Sequence, residues 1–366
     1  MLAVPPRVEP GQRRRSMKEG EERTMIRLLA SGLALALAVL TVSTLARAPE
    51  ARTEPRVLEA CASDKDTIDA GAVPRVVEPG ECPVGGRRIS DGAVASFVPP
   101  PGKTVYAEVL TTSGAQELSV RRLSDGAIKL GHVGEEPEGD EVGRLAARDP
   151  GRTIDDREGC YSGAYVDLGY KVMDPQVTGR TIEYQINLST KPRGLSRREA
   201  GNAVQKAARN VFDTRNGCRM GDRVPVAVKY GGQTGAATQV GDLCGLDDGR
   251  SVVAFGDLRM GVPATSCTIF KGRPNYYYDE VISADIRINK ADYRWTTTPG
   301  ARTCSRDYDV EGVLTHEWGH VFGLGHVPED GNRNLTMSPV INGTCQSSER
   351  SLGRGDVLGL DGKYDG

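Results

Sequence analysis

The 366-residue chain is poor in several things. It has only four histidines, and none of its eight cysteines are spaced as C-x-x-C. The missing C-x-x-C spacing argues against a zinc site built from cysteines. Formal charge is −2, so no strong attraction to nucleic acid or to acidic surfaces follows. Aromatics make up 5% of the residues, which leaves little for wide stacking surfaces. No internal repeat is evident, which argues against a solenoid or propeller.

The scarce histidines are concentrated. Three of the four fall in His316-Glu317-Trp318-Gly319-His320-Val321-Phe322-Gly323-Leu324-Gly325-His326, spaced H-E-x-x-H-x-x-G-x-x-H. On a helix His316 and His320 stand one turn apart and present both imidazoles to one side. Two neutral imidazoles so placed can bind Zn²⁺, with Glu317 as general base on the water that the metal activates. Gly323 allows the left-handed turn that ends such a helix, so that His326 can return as third ligand. One catalytic zinc per chain is the expectation.

These eleven residues are the zinc-binding consensus of the metzincins, and the chain resembles that family. Leu335-Thr336-Met337-Ser338-Pro339 looks like its methionine turn, with Met337 forming an apolar floor beneath the metal ligands. Ser283-Ala284-Asp285-Ile286-Arg287-Ile288 and the final Gly355-Asp356-Val357-Leu358-Gly359-Leu360 with Tyr364 resemble segments of the matrixin branch. Val327 follows the third histidine where matrixins usually carry serine. The resemblance spans roughly residues 155–366.

It implies an α+β fold: a twisted, mostly parallel sheet with an antiparallel edge strand, an active-site helix and a C-terminal helix. It also implies endopeptidase action on an extended peptide laid along that edge strand. Ca²⁺ in loops such as Asp247-Asp248-Gly249 and Asp330-Gly331-Asn332 is a further implication, although Asp/Asn-Gly pairs are more often plain turns.

Residues 1–48 read as an address. Arg13-Arg14-Arg15, Lys18, Arg23 and Arg27 precede an apolar run from Leu28 to Ala46. A cleaved export signal is expected, with an N-terminal membrane anchor at 28–46 as the alternative. Either places the rest of the chain outside the cytoplasm, where an even cysteine count suggests disulfides. By locality the expected pairs are Cys61–Cys82 and Cys218–Cys244, while Cys304–Cys345 would bracket the active site, leaving Cys160–Cys267. A monomer that acts on proteins or peptides is expected, with no nucleic-acid partner.

Residues 49–150 read as a small β-rich region, with short strands over Val105–Leu110 and Leu118–Leu123. A propeptide is one reading of it, and a flexible boundary is expected near 135–158. Neither Cys61 nor Cys82 lies in the Pro-Arg-Cys-Gly form by which matrixin propeptides cover the metal.

The resemblance implies a matrixin-like domain over residues 151–366. Strands are expected at Thr181–Leu188, Val224–Tyr230, Val252–Phe255 and Ile282–Ile288, and a helix is expected after Ser196, capped with Glu199. Asp309 is the expected N-cap of the histidine helix. His132 reads as a surface histidine, and Tyr276-Tyr277-Tyr278 as a groove lining or a hydrophobic edge. The rival to a protease is an exported zinc-binding or adhesion module without turnover. A membrane-tethered protease that trims neighbouring surface proteins is the variant within enzymes.

Overall fold

The computed structural model describes residues 59–61, 66–111, 113–132, 171–172, 176–177, 181–217, 220–222, 224–272, 278–328, 335–341 and 343–364. The apolar run at 28–46, the boundary at 135–158, the Asp330-Gly331-Asn332 turn and Tyr276-Tyr277 lie outside the described residues.

The strands of the N-terminal part are β1 (Thr67–Asp69), β2 (Val76–Val77), β3 (Arg88–Asp91), β4 (Val94–Phe97), β5 (Lys103–Thr111), β6 (Gly114–Arg122) and β7 (Ile128–His132). Those that follow are β8 (Lys171–Val172), β9 (Gln176–Val177), β10 (Ile182–Asn187), β11 (Val228–Gln233), β12 (Val252–Gly256), β13 (Ala264–Gly272), β14 (Tyr278–Asn289), β15 (Trp295–Thr296), β16 (Tyr308–Asp309) and β17 (Leu324–Gly325). Three α-helices join them among the described residues: α1 (Arg197–Phe212), α2 (Val310–Val321) and α3 (Arg354–Tyr364).

One ten-stranded sheet carries most of this, in the order β11-β10-β12-β14-β13-β5-β6-β7-β2, with β9 on β14. The pairs β11–β10, β10–β12 and β12–β14 are parallel. β13 runs antiparallel to β14. It is not the edge strand that was expected, because β5 pairs along its other side from Ala264↔Leu110 to Lys271↔Lys103.

The sheet has covered faces, and β5 shows the consequence. Its residues from Thr104 to Leu110 are all buried, and their period-2 alternation feeds two cores. Val105, Ala107 and Val109 join a core with β6 and the N-terminal strands. Tyr106 and Leu110 join the core under the histidine helix. β13, missed from sequence, has the same character. With both faces covered it shows no polar–apolar alternation to read.

The helices follow from their caps and stripes. Ser196 Oγ accepts from Glu199 N at 3.1 Å and Glu199 Oε2 accepts from Ser196 N at 2.8 Å, which closes the capping box. Ala200, Ala203, Val204, Ala207, Ala208 and Val211 are buried along one side of α1. Every residue of α2 is buried, so α2 is the central helix of the core. Asp309 caps it from Gly312 N at 2.9 Å, and Arg350 holds that carboxylate with two 2.6 Å contacts. Asn210 of α1 donates to Thr315 Oγ1 of α2 at 3.1 Å, which ties the two helices together.

Cys61–Cys82 and Cys304–Cys345 pair as expected. The other two guesses are corrected, because Cys244 bonds Cys267, with Cα atoms 5.6 Å apart. Cys267 lies nearer to Cys244 in sequence than Cys218 does, so locality itself favoured the observed pair. Boundaries also move: the strand expected at 224–230 runs Val228–Gln233, and that expected at 282–288 begins at Tyr278.

Asp285 of β14 carries a measurable consequence. Its carboxylate accepts from Val252 N and Gln239 N, both at 2.7 Å, while burial pushes its pKa up to about 7. The unfolded chain releases this proton near pH 4, so between about pH 4 and 7 the folded state binds more protons. Stability from this group therefore falls as pH rises through that window. At about 1.4 kcal/mol per pKa unit, the loss is on the order of 4 kcal/mol. Urea unfolding across pH 4–8 should show a flatter stability profile for Asp285→Asn than for the wild type. Parallel profiles would refute this account.

Candidate metal centre

α2 places His316 and His320 on one side of a buried helix, as the i, i+4 spacing requires. The helix stops at Phe322, whose N–H bonds Trp318 O at 3.0 Å, and Gly323 then takes φ +89°. That left-handed residue reverses the chain into β17 and delivers His326. The three Nε2 atoms converge: His316 to His326 is 3.0 Å, and His320 stands 3.2 Å from each.

The outer ring nitrogens explain why these atoms point inward. His316 Nδ1 meets Thr336 O at 2.7 Å and His320 Nδ1 meets Leu324 O at 2.9 Å. His326 Nδ1 lies 2.6 Å from Glu117 Oε1, and the same oxygen accepts the His326 backbone N–H at 2.7 Å. Facing carbonyl acceptors, the Nδ1 atoms of His316 and His320 carry the protons, which turns their Nε2 lone pairs toward His326. Burial, and then the neighbouring histidines, lowers the pKa of His316 to about 3 and pushes that of His320 well below the ordinary value. Both are therefore neutral, the form that binds metal.

Three imidazole nitrogens about 3 Å apart are crowded without a cation between them. Three nitrogens each 2.0–2.1 Å from a tetrahedral Zn²⁺ would sit about 3.3 Å apart, so the residues fit a zinc ion. Glu108 of β5 joins the set: its carboxylate and the three imidazoles offer ligand atoms all within 4.8 Å of one another, with Glu108 Oε1 3.8 Å from His326 Nε2.

Glu317 is fully buried. Among the described residues no donor completes a hydrogen bond of normal geometry to either of its oxygens, or to Glu108 Oε1. Burial pushes Glu317 up to about 7 and raises Glu108 well above the usual carboxylate range, the latter reinforced by the charge of Glu317 beside it. Two such carboxyls side by side need a cation to remain ionised.

The methionine turn lies beneath. Leu335, Thr336 and Met337 are buried, and Met337 Sδ packs against Gly319 of α2, where no larger residue would fit without displacing it. Asp356 of α3 holds the turn, accepting from Thr336 N at 2.8 Å, Met337 N at 3.2 Å and Gly353 N at 2.8 Å. Thr336 in turn supplies the carbonyl that orients His316.

The structure thus brings together His316, Glu317, His320, His326 and Met337. Sequence reading missed Glu108, Glu117 and the supporting role of Asp356. A signal for Glu108 was present, since it is the one charge inside the apolar run Val105–Leu110. Calcium finds no support at Asp247, whose carboxylate already takes Lys103 Nζ at 2.8 Å, Ser283 Oγ at 2.8 Å and Gly249 N at 2.9 Å.

Residues 274–365 match the family model described as Matrixin, over about a quarter of the chain. No curated protein matches the chain.

Gly323 makes the geometry testable. A Cβ there would meet Lys363 Cε at 2.6 Å, on a backbone that L-residues adopt at a cost of about 1–2 kcal/mol. Gly323→Ala should lose at least that much stability in urea unfolding, and should weaken zinc binding because His326 follows directly. Unchanged zinc affinity would show that the turn does not position His326.

Proposed function

We propose that the chain is an exported zinc-dependent endopeptidase, with His316, His320 and His326 as metal ligands and Glu317 as general base. The convergence of three imidazoles on one point beside a buried glutamate supports this most directly. The matrixin match over 274–365 contains all four residues. Zinc held there supplies a Lewis acid and lowers the pKa of water. Glu317 takes the proton from the attacking water and returns it to the leaving amine. Met337 and Thr336 hold the ligand helix from below, and Asp356 holds both of them.

Export agrees with the described disulfides. Among the described residues no helix is long and apolar enough to cross a membrane. A monomer acting on protein substrates, secreted or tethered by residues 28–46, completes the reading.

One observation favours a second reading. A site closed by a fourth protein ligand is usual for structural zinc, and Glu108 stands within reach of that position. A non-catalytic zinc module would fit this closure, but it has no use for Glu317.

Casein digestion by the purified chain separates the two. The parent chain should cut, while Glu317→Ala should be slower by about 10²–10⁴-fold with about one zinc still bound. Equal rates for parent and variant would remove Glu317 from the chemistry, and a folded chain without zinc would end the proposal.

A further inference from the structure

The ends of the parallel strands frame a cleft that the metal chemistry does not use. We propose that this cleft, at the carboxyl ends of β10, β12 and β14, binds an acidic stretch of peptide. Its role, a grip on substrate away from the point of cleavage, rests on the protease reading above.

Topology puts a crevice there. In the order β11-β10-β12-β14-β13 the chain leaves β10 through α1 toward β11, and it leaves β12 on the other side, for β13. These connections diverge from neighbouring parallel strands. In open α/β sheets, ligands bind outside the carboxyl ends of the strands at such a switch point. The cleft has a volume of about 860 Å³, enough for a short peptide rather than a single ion. Ser189, Asp257 and Lys290 line it, just beyond the ends of β10, β12 and β14. Another wall is aromatic and fixed. Tyr293 and Trp295 line the cleft and pack with Tyr308, their ring centroids between 5.5 and 6.1 Å apart. Trp295 Nε1 donates to Asn289 O at 2.6 Å, and Cys304 beside them is held by its bond to Cys345.

Charge selects the ligand. Lys191, Arg193, Lys290 and Arg294 stand around the cleft with Glu199, Asp257 and Asp307. Two of the acids are already engaged: Asp307 holds Arg294 Nε at 2.8 Å, and Glu199 accepts from Ser196 N in the capping box. Lys191, Arg193 and Lys290 are left against Asp257. Arg193 and Lys290 are exposed and make no ion pair among the described residues. In a chain of net charge −2 this excess of positive charge is local. Carboxylates of a bound peptide complete these pairs, and the Thr296 and Thr303 hydroxyls can bond its main chain.

The cleft stands off the chemistry. Asp307, in its lining, comes just before the Asp309 cap of α2, whereas the first metal ligand, His316, lies about 10 Å further along the helix. An extended peptide covers that length in about three residues. An acidic segment held here therefore belongs at least that far from the scissile bond.

The test is a calorimetric titration of the full zinc-loaded chain with pentaglutamate at low salt, with pentaserine as the uncharged control. Wild type should bind pentaglutamate and ignore pentaserine. Arg193→Glu and Lys290→Glu should each bind at least about ten-fold more weakly, since reversal exchanges an attraction for a repulsion. Both positions are exposed, so both variants keep the fold. Equal affinity in all three chains would overturn the inference, as would displacement of pentaglutamate by an equal concentration of inorganic phosphate, which would mark a small-anion site. Casein cut by a wild type that ignores pentaglutamate would overturn the inference and leave the protease reading standing. Binding weakened by both reversals, with casein untouched by wild type, would sustain the cleft and overturn the protease reading instead.

Discussion

Three imidazole nitrogens held within 3.2 Å of one another are the constraint on which the rest of this structure depends. Left alone, such lone pairs would turn apart. Each ring is instead pinned from behind, by Thr336 O, Leu324 O and the Glu117 carboxylate. These come from the methionine turn, the strand after the helix and the N-terminal hairpin. The centre is therefore where three remote segments of chain are tied together. Asp356 extends the same logic outward, because it fixes the turn that fixes His316.

Charge balance follows from this arrangement. Without a cation, burial drives Glu108 and Glu317 toward the neutral form and keeps His316 and His320 uncharged. A divalent ion among the histidines would ease that pressure on the carboxyls by setting positive charge beside them.

The β13 strand links this chemistry to the architecture. It lies between β14, which continues the parallel sheet, and β5, which arrives from the N-terminal part. Its burial on both faces is why its sequence, Ala264 to Gly272, shows no strand alternation. The hairpin strands β5 and β6 were legible because their turn and their β-branched residues are local signals. Their partner across the sheet was not legible, because chain distance says nothing of which strands pair.

The helix-borne part of the site was readable in advance because its geometry is local. Four residues make a helical turn, so His316 and His320 share a face. A glycine can take φ +89°, so the chain can double back to His326. Asp309 and Ser196 cap their helices through contacts three residues long. The residues that close the site were decided only by tertiary structure. Glu108 meets Ser266 across 158 residues of chain, and Glu117 meets His326 across 209. Those meetings depend on which strands pair and in what register. A shift of one residue would turn Glu108 to the opposite face. Register is set by the whole sheet and its two cores together, and no short stretch of sequence contains it.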